Sequence, residues 1–250
     1  TSAMLLFSLQ LGLPLWLLML IAVAMVWFIN LYNFMDGIDG IAAVQCLLFC
    51  VGVQILALQL PGWSGALVWL LSGATLAFLA FNWPPAKIFM GDVGSQFLGL
   101  LLGGLVLYLW QQDFVPLVGS LILLAGFWFD ATYTLCVRMA TGQAYTQAHR
   151  SHLYQRLAQR RGHLWTTVAF LLYGLAWLLP LAFAATQHNR GAGAAADMAT
   201  YPQLTLFGAD PSAWWWLLPA VLPLAVLCVY FRAGVMQHEP SPPPSDSGSA

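Results

Sequence analysis

The chain has 250 residues, of which 60% are hydrophobic and only 7% charged. Soluble domains carry about 25% charged residues, so this composition excludes a soluble globule. A formal net charge of −1 gives no reason to expect a nucleic-acid partner.

Runs of about 20 apolar residues are long enough to cross a lipid bilayer. Seven such runs occur, at about 12–32, 41–60, 63–82, 95–111, 115–138, 163–186 and 211–231. They predict an all-α polytopic membrane protein with about seven transmembrane helices. A single transmembrane domain over residues 1–236 would be followed by a disordered Pro/Ser-rich tail at 237–250. Thr1 is followed by no basic segment and no cleavage motif, which predicts no signal peptide and an upstream part outside this chain.

The first run ends in "NFMDGIDG", residues 33–40. Asp36 and Asp39 share a face if the segment is helical, and Gly37 and Gly40 let the backbone leave a helix or approach a ligand. An ordinary polar helix end would look similar. Cys46 and Cys50 follow one turn apart; with no histidine nearby they read, like Cys136 and Cys228, as packing or lipid-facing thiols.

After the third run comes "FNWPPAKIFMGDVGSQ". Pro84 and Pro85 stop the helix, and either Asp92 or Ser95 could cap the next one. Capping does not account for Asn82, Lys87 and Phe89 in so short a loop. Gly99 and Gly103 in the following run suit close helix packing. Asp130 sits inside the fifth run and is expected to pack structurally, either paired with Arg138 on the same helix or near the polar cleft.

The third polar connection, "RMATGQAYTQAHRSHLYQRLAQRRGH", holds His149, Arg150 and His152, then Arg156, Arg160 and Arg161. Five of the eight Lys and Arg residues lie in or beside it, which makes it cytoplasmic by the positive-inside rule. Alternation then brings residues 33–40, 82–95 and the tail to the same face and leaves Arg190 outside. Residues 187–210 read as an irregular outer loop. The later arginines need no function beyond topology and lipid attraction; the two histidines invite a phosphate-binding reading. Carboxylates able to hold Mg²⁺, with basic groups to neutralise phosphate, at a lipid–water boundary suit the joining of a soluble phosphorylated donor to a lipid phosphate.

"NFMDGIDG", "FNWPPAKIFMGDVGS" and "AHRSHLYQRL", in this order, resemble the polyprenyl-phosphate N-acetylhexosamine-1-phosphate transferases (glycosyltransferase family 4) over about residues 12–185. The resemblance implies an enzyme of the bacterial inner membrane, multi-pass, with its active site facing the cytoplasm. It would transfer an N-acetylhexosamine 1-phosphate from a UDP-sugar to undecaprenyl phosphate, releasing UMP, with Mg²⁺ (or Mn²⁺) required. Its partners would be undecaprenyl phosphate, a UDP-N-acetylhexosamine and the lipid bilayer; a homodimer is compatible with it. By motif, Asp36, Asp39 and Asp92 fall on catalytic positions, with Asp92 and Asp36 as metal ligands. Asn33, Asn82, Phe89, His149, Arg150 and His152 fall on substrate-binding positions, Phe89 being suited to stacking on uracil. Lys87 joins them by its place in the loop. "HRSH" looks closer to the initiators of O-antigen and related surface polysaccharides than to the peptidoglycan translocase, which resembles a run of consecutive histidines there. The family's adjacent Asp-Asp pair does not occur in this sequence and would lie upstream of Thr1, the chain being N-terminally incomplete relative to the family. An inactive truncated member and a membrane transporter are the alternative readings.

Overall fold

The computed structural model describes residues 14–58, 60–143, 150–195 and 211–235. Every apolar run becomes helix, and there is no strand among the described residues. The reason is elementary: without water, each backbone N–H and C=O must be paired within its own segment, and only a helix does that for a single span.

The order is α1 (Leu15–Met35), α2 (Ile41–Leu56), α3 (Gly62–Asn82), α4 (Gly91–Gln111), α5 (Leu117–Leu123), α6 (Ala125–Ala140), α7 (Leu153–Arg161), α8 (His163–Tyr173), α9 (Leu179–Ala195) and α10 (Leu217–Tyr230). A π-helical turn, Gly174–Leu178, joins α8 to α9, and a 3₁₀ turn, Pro211–Trp216, precedes α10. Pro14, Pro61 and Pro116 stand at the entries of α1, α3 and α5, where a missing N–H leaves no hydrogen bond unmade. The π-helical turn falls just before Pro180, whose ring nitrogen cannot close the regular bond.

Five helical stretches are long and apolar enough to cross a membrane: α1, α3, α4, the continuous 163–191 stretch and 211–230. At 1.5 Å per residue, the 21 residues of α1 reach about 30 Å, the thickness of a hydrocarbon core. Two expected spans come out differently. The 115–138 run is broken into α5 and α6, bent by 76°. Phe127 and Trp128 both donate to the Leu124 carbonyl, and the buried Gln45 amide reaches the Leu123 carbonyl at 3.0 Å. Trp128 Nε1 donates to the Leu121 carbonyl at 2.8 Å. Side chains thus supply donors where the ladder is interrupted. The 41–60 run yields a helix of only 16 residues, most of it buried. Residues 187–195, expected in an irregular loop, continue α9 as helix; the rest of that loop, and the 237–250 tail, lie outside the described residues.

Gly99 and Gly103 let α4 press against α1. A Cβ on Gly99 would stand 3.0 Å from the Ile29 backbone, and one on Gly103 would stand 2.8 Å from Met25 Sδ. Elsewhere α1 is turned outward, with Val23 and Val26 among its exposed residues. Cys46 and Cys50 are buried packing thiols. These contacts bring the ends of α1, α3, α4 and α8, and all of α7, to one end of the bundle.

Candidate functional site

A cleft of about 270 Å³ opens at that end, lined by Asn33, Asp36, Gly37, Ile38, Asp39, Asn82, Phe89, Met90, Gly91, Asp92 and His163. Six of the ten residues singled out by sequence therefore meet in one place, although the two motifs that carry them lie about fifty residues apart in the chain.

The cleft begins where α1 stops. Asp36 is the residue after its last turn, and the chain breaks away through Gly37 and Gly40. Gly40 has φ 77°, which a Cβ would oppose. Gly37 has no room for a Cβ, because the Tyr154 hydroxyl occupies that space while donating to the Phe34 carbonyl at 2.7 Å. α7 thus braces the carboxylate-bearing turn from behind.

Asp92 lies in the first turn of α4, where the positive end of the helix dipole favours an anion. It does not cap the helix, and neither does Ser95. Ser95 is buried and hydrogen-bonds back to the Gly91 and Asp92 carbonyls. Asn33 Nδ2 donates to Ser95 Oγ at 2.9 Å and to Asp92 Oδ1 at 3.3 Å, which orients the Asp92 carboxylate and leaves it exposed. Burial, then the Asp92 charge, push the Asp36 carboxyl up to about 7. An Asp36 carboxyl raised in part by the neighbouring Asp92 charge, at the edge of a cleft, suits a divalent cation. Mg²⁺ takes one or two carboxylates and completes its shell with water and phosphate. No group of three His, Cys, Asp or Glu side chains able to hold a metal occurs among the described residues.

Asp39 is engaged on both oxygens. Oδ2 accepts the Ala86 N–H at 3.1 Å, and Oδ1 stands 3.2 Å from His163 Nδ1. Its carbonyl accepts Thr167 Oγ1 at 2.7 Å. Asn82 is buried with both amide ends used: Oδ1 accepts the Gly40 N–H at 3.0 Å, and Nδ2 donates to the Ile88 carbonyl at 2.8 Å. It staples the 82–90 loop to the α1–α2 turn, a role the loop sequence does not reveal. Phe89 is 76% exposed, an aromatic face left open at the cleft wall.

The basic loop is placed differently from its sequence expectation. His152 is buried, 3.7 Å from Asp130 Oδ1, and caps α7 reciprocally with Gln155; it does not line the cleft. Arg150 and Lys87 are exposed beyond the lining, and His149 lies outside the described residues. Asp130 is fully buried and accepts the backbone N–H groups of Leu153 (2.9 Å) and Tyr154 (3.0 Å) and Thr134 Oγ1 (3.2 Å). It packs structurally, as expected, but its partners are the start of α7 rather than Arg138. Arg156 is buried and donates to the Val235 carbonyl. Arg160 and Arg161 lie over the rings of Phe231 and Trp165.

Comparison with known proteins bears on the two motifs that line the cleft. Residues 1–110 match the model of "Glycosyl transferase family 4". The family segment contains both acidic motifs of the cleft and ends at the last turn of α4, so the likeness read from "NFMDGIDG" and "FMGDVGS" is borne out. The chain is 35% identical over 136 residues to a probable undecaprenyl-phosphate N-acetylglucosaminyl 1-phosphate transferase of Bacillus subtilis, covering 51% of this chain and 37% of that protein. It is 38% identical over 99 residues to a phospho-N-acetylmuramoyl-pentapeptide-transferase of Chlamydia muridarum (38% and 30%). The phospho-N-acetylmuramoyl-pentapeptide-transferase of Streptococcus gordonii is 32% identical over 158 residues (60% and 47%). The chain thus spans less than half the length of these curated relatives. His163, outside the family segment, is the cleft residue that sequence reading passed over; its one signal was a histidine directly after Gly162 at the head of an apolar run.

Proposed function

We propose that this chain transfers an N-acetylhexosamine 1-phosphate from a UDP-sugar to undecaprenyl phosphate, giving undecaprenyl-diphospho-sugar and UMP. The observation that carries the reading is the meeting of Asn33, Asp36, Asp92 and Phe89, from two family motifs, in one cleft at one end of a membrane-spanning bundle. The names of the relatives, which describe transfer of phospho-N-acetylglucosamine or phospho-N-acetylmuramoyl pentapeptide, support the reaction class.

Asp36 and Asp92 would hold Mg²⁺ or Mn²⁺, which supplies charge neutralisation for a diphosphate. Asn33 keeps Asp92 aimed into the cleft, and the N-terminus of α4 adds its dipole to the attraction for phosphate. Phe89 offers its face to the uracil ring, and Asp39 and Asn82 hold the surrounding loop. Arg150, His149 and Lys87 are left for the outer phosphate and sugar, because a cleft of about 270 Å³ falls just below the usual range for a whole ligand. Asp39 and His152 enter this reading through position rather than through substrate contact. The acceptor needs no strong base: a phosphate monoester has its second pKa near 6 and is mostly dianionic at neutral pH. Its oxygen bonds to the β-phosphorus, and the bond from that phosphorus to the bridging oxygen breaks as UMP leaves.

An open apolar groove of about 470 Å³ supports a lipid acceptor. It is lined along α1 by Leu20, Met25, Phe28 and Leu31 and closed by Val106 and Trp128. α1 carries Leu31 in the groove and Asn33 in the cleft, so one helix links an isoprenoid-sized surface to the carboxylates. The cleft end faces the cytoplasm of a bacterial inner membrane in this reading. "HRSH" favours a UDP-N-acetylglucosamine-type donor and O-antigen or related surface-polysaccharide initiation, and a homodimer is compatible with it.

The test is UMP release by membranes containing the chain, given undecaprenyl phosphate, Mg²⁺ and either UDP-N-acetylglucosamine or UDP-N-acetylmuramoyl pentapeptide. Release that depends on Asp92, lost in Asp92→Asn, supports the proposal and the arm that responds names the donor. Equal release from Asp92→Asn overturns it.

A further inference from the structure

His163 opens α8 directly after Gly162, is about half exposed, and lines the cleft beside Asp39. The pairing is tight on the Asp39 side. With Oδ2 on the Ala86 N–H and the carbonyl on Thr167, Asp39 can turn neither its side chain nor its backbone away from the imidazole. The Asp39 N–H also approaches His163 Nδ1, at 3.5 Å. Asp39 Oδ1 stands 3.2 Å from the same nitrogen, so Asp39 holds the ring through both its backbone and its side chain. An imidazole held at one ring nitrogen has its plane fixed and keeps Nε2 for a ligand.

The cleft residues fall into two hydrogen-bonded sets. Asn33, Asp92 and Ser95 form one, next to Asp36. Asp39, the 82–90 loop and His163 form the other, next to the exposed ring of Phe89. A stacking ring and an oriented imidazole nitrogen in the same set suit a nucleoside, whose base and ribose offer hydrogen-bonding partners. We infer that His163 is a donor-binding residue, hydrogen-bonded to the nucleoside through Nε2, and that Asp39 is the positioning residue that holds its ring. This rests on the proposed UDP-sugar donor.

The experiment is calorimetric titration of UMP into the full chain in detergent, for the wild type, His163→Ala, His163→Gln, Asp39→Asn and the double variant His163→Ala/Asp39→Asn. His163→Ala is expected to weaken UMP binding about five- to tenfold, the worth of one net hydrogen bond, with an unchanged melting temperature because the side chain is half exposed. His163→Gln, which retains a hydrogen-bonding side chain, is expected to recover most of that loss. Asp39→Asn should weaken UMP similarly, and the double variant no further, since the two act as a unit. In turnover, the KM for the donor should rise and that for the lipid acceptor stay put. A change under about twofold in His163→Ala, or additive losses, overturns the inference while leaving the donor reading intact. Absence of UMP binding by the wild type overturns both.

Discussion

At the residue scale, the most informative group is Asp36. Its carboxyl is raised to about 7 from an ordinary value near 3.8, first by burial and then by Asp92. A folded-state value above the unfolded one means the protonated form is favoured by the fold. The associated stability is complete below about pH 4 and is lost as pH rises through about 7. A divalent cation favours the opposite, ionised form, so metal and proton compete. Mg²⁺ affinity is expected to fall about tenfold per pH unit below 7, measured as the Mg²⁺ concentration giving half the thermal shift between about pH 5 and about pH 8. Asp36→Asn should flatten that profile. Affinity independent of pH would remove Asp36 from the metal site. The carboxylates themselves were legible in the sequence because charge is scarce there and each one stands out. The elevated carboxyl was not, because it depends on a neighbour from another motif.

At the element scale, α7 decides how firmly the cleft is held. Its N-terminus is capped not by its own residues alone but by Asp130 from α6, and its Tyr154 fills the space that Gly37 leaves. Asp130→Ala would leave two backbone N–H groups without acceptors, at about 1–3 kcal/mol each. A clear drop in melting temperature is expected, with Asp130→Asn intermediate. An unchanged melting temperature would show that α7 is held by packing alone. Gly37→Ala drives a methyl into Tyr154, so UMP release should fall well below wild type even where the protein still inserts. Combining it with Tyr154→Phe, which removes the colliding oxygen, should restore part of the rate. Neither contact was legible in the sequence, since Asp130 and Gly37 both lie far along the chain from Tyr154. The break between α5 and α6 was equally hidden: the run is uniformly apolar, and only the side chains of Gln45 and Trp128 reveal where carbonyls leave the ladder.

At the scale of the whole molecule, the cleft, the 82–90 loop, α7 and the 232–235 segment gather at one end, and Arg190, bonded to the Phe114 carbonyl at 2.9 Å, marks the other. The proposed cytoplasmic facing of that first end rests on the charge bias of the basic loop. Cysteines introduced for Lys87 and Arg232 should therefore react with a membrane-impermeant thiol reagent from the same side, and one introduced for Arg190 from the opposite side. Labelling of Lys87→Cys and Arg190→Cys from one side would invert the assignment of at least one span. The apolar exterior belongs to this scale as well. Trp69 and Leu70 are 64% and 71% exposed, a surface stable only where hydrocarbon replaces water.

The sequence by itself determined that the chain is helical, apolar enough for a bilayer and equipped with two acidic motifs that resemble those of one transferase family. Those properties are local: composition, run length and short spacings are written along the backbone. Only the tertiary structure decided which polar groups work together. It brought Asp36 beside Asp92, engaged Asp39 with His163, buried His152 against Asp130 and turned Asn82 into a staple. Such assignments follow from helix packing, since small residues such as Gly99 set how closely α4 meets α1 and hence which side chains face the same space. No one-dimensional pattern records that distance.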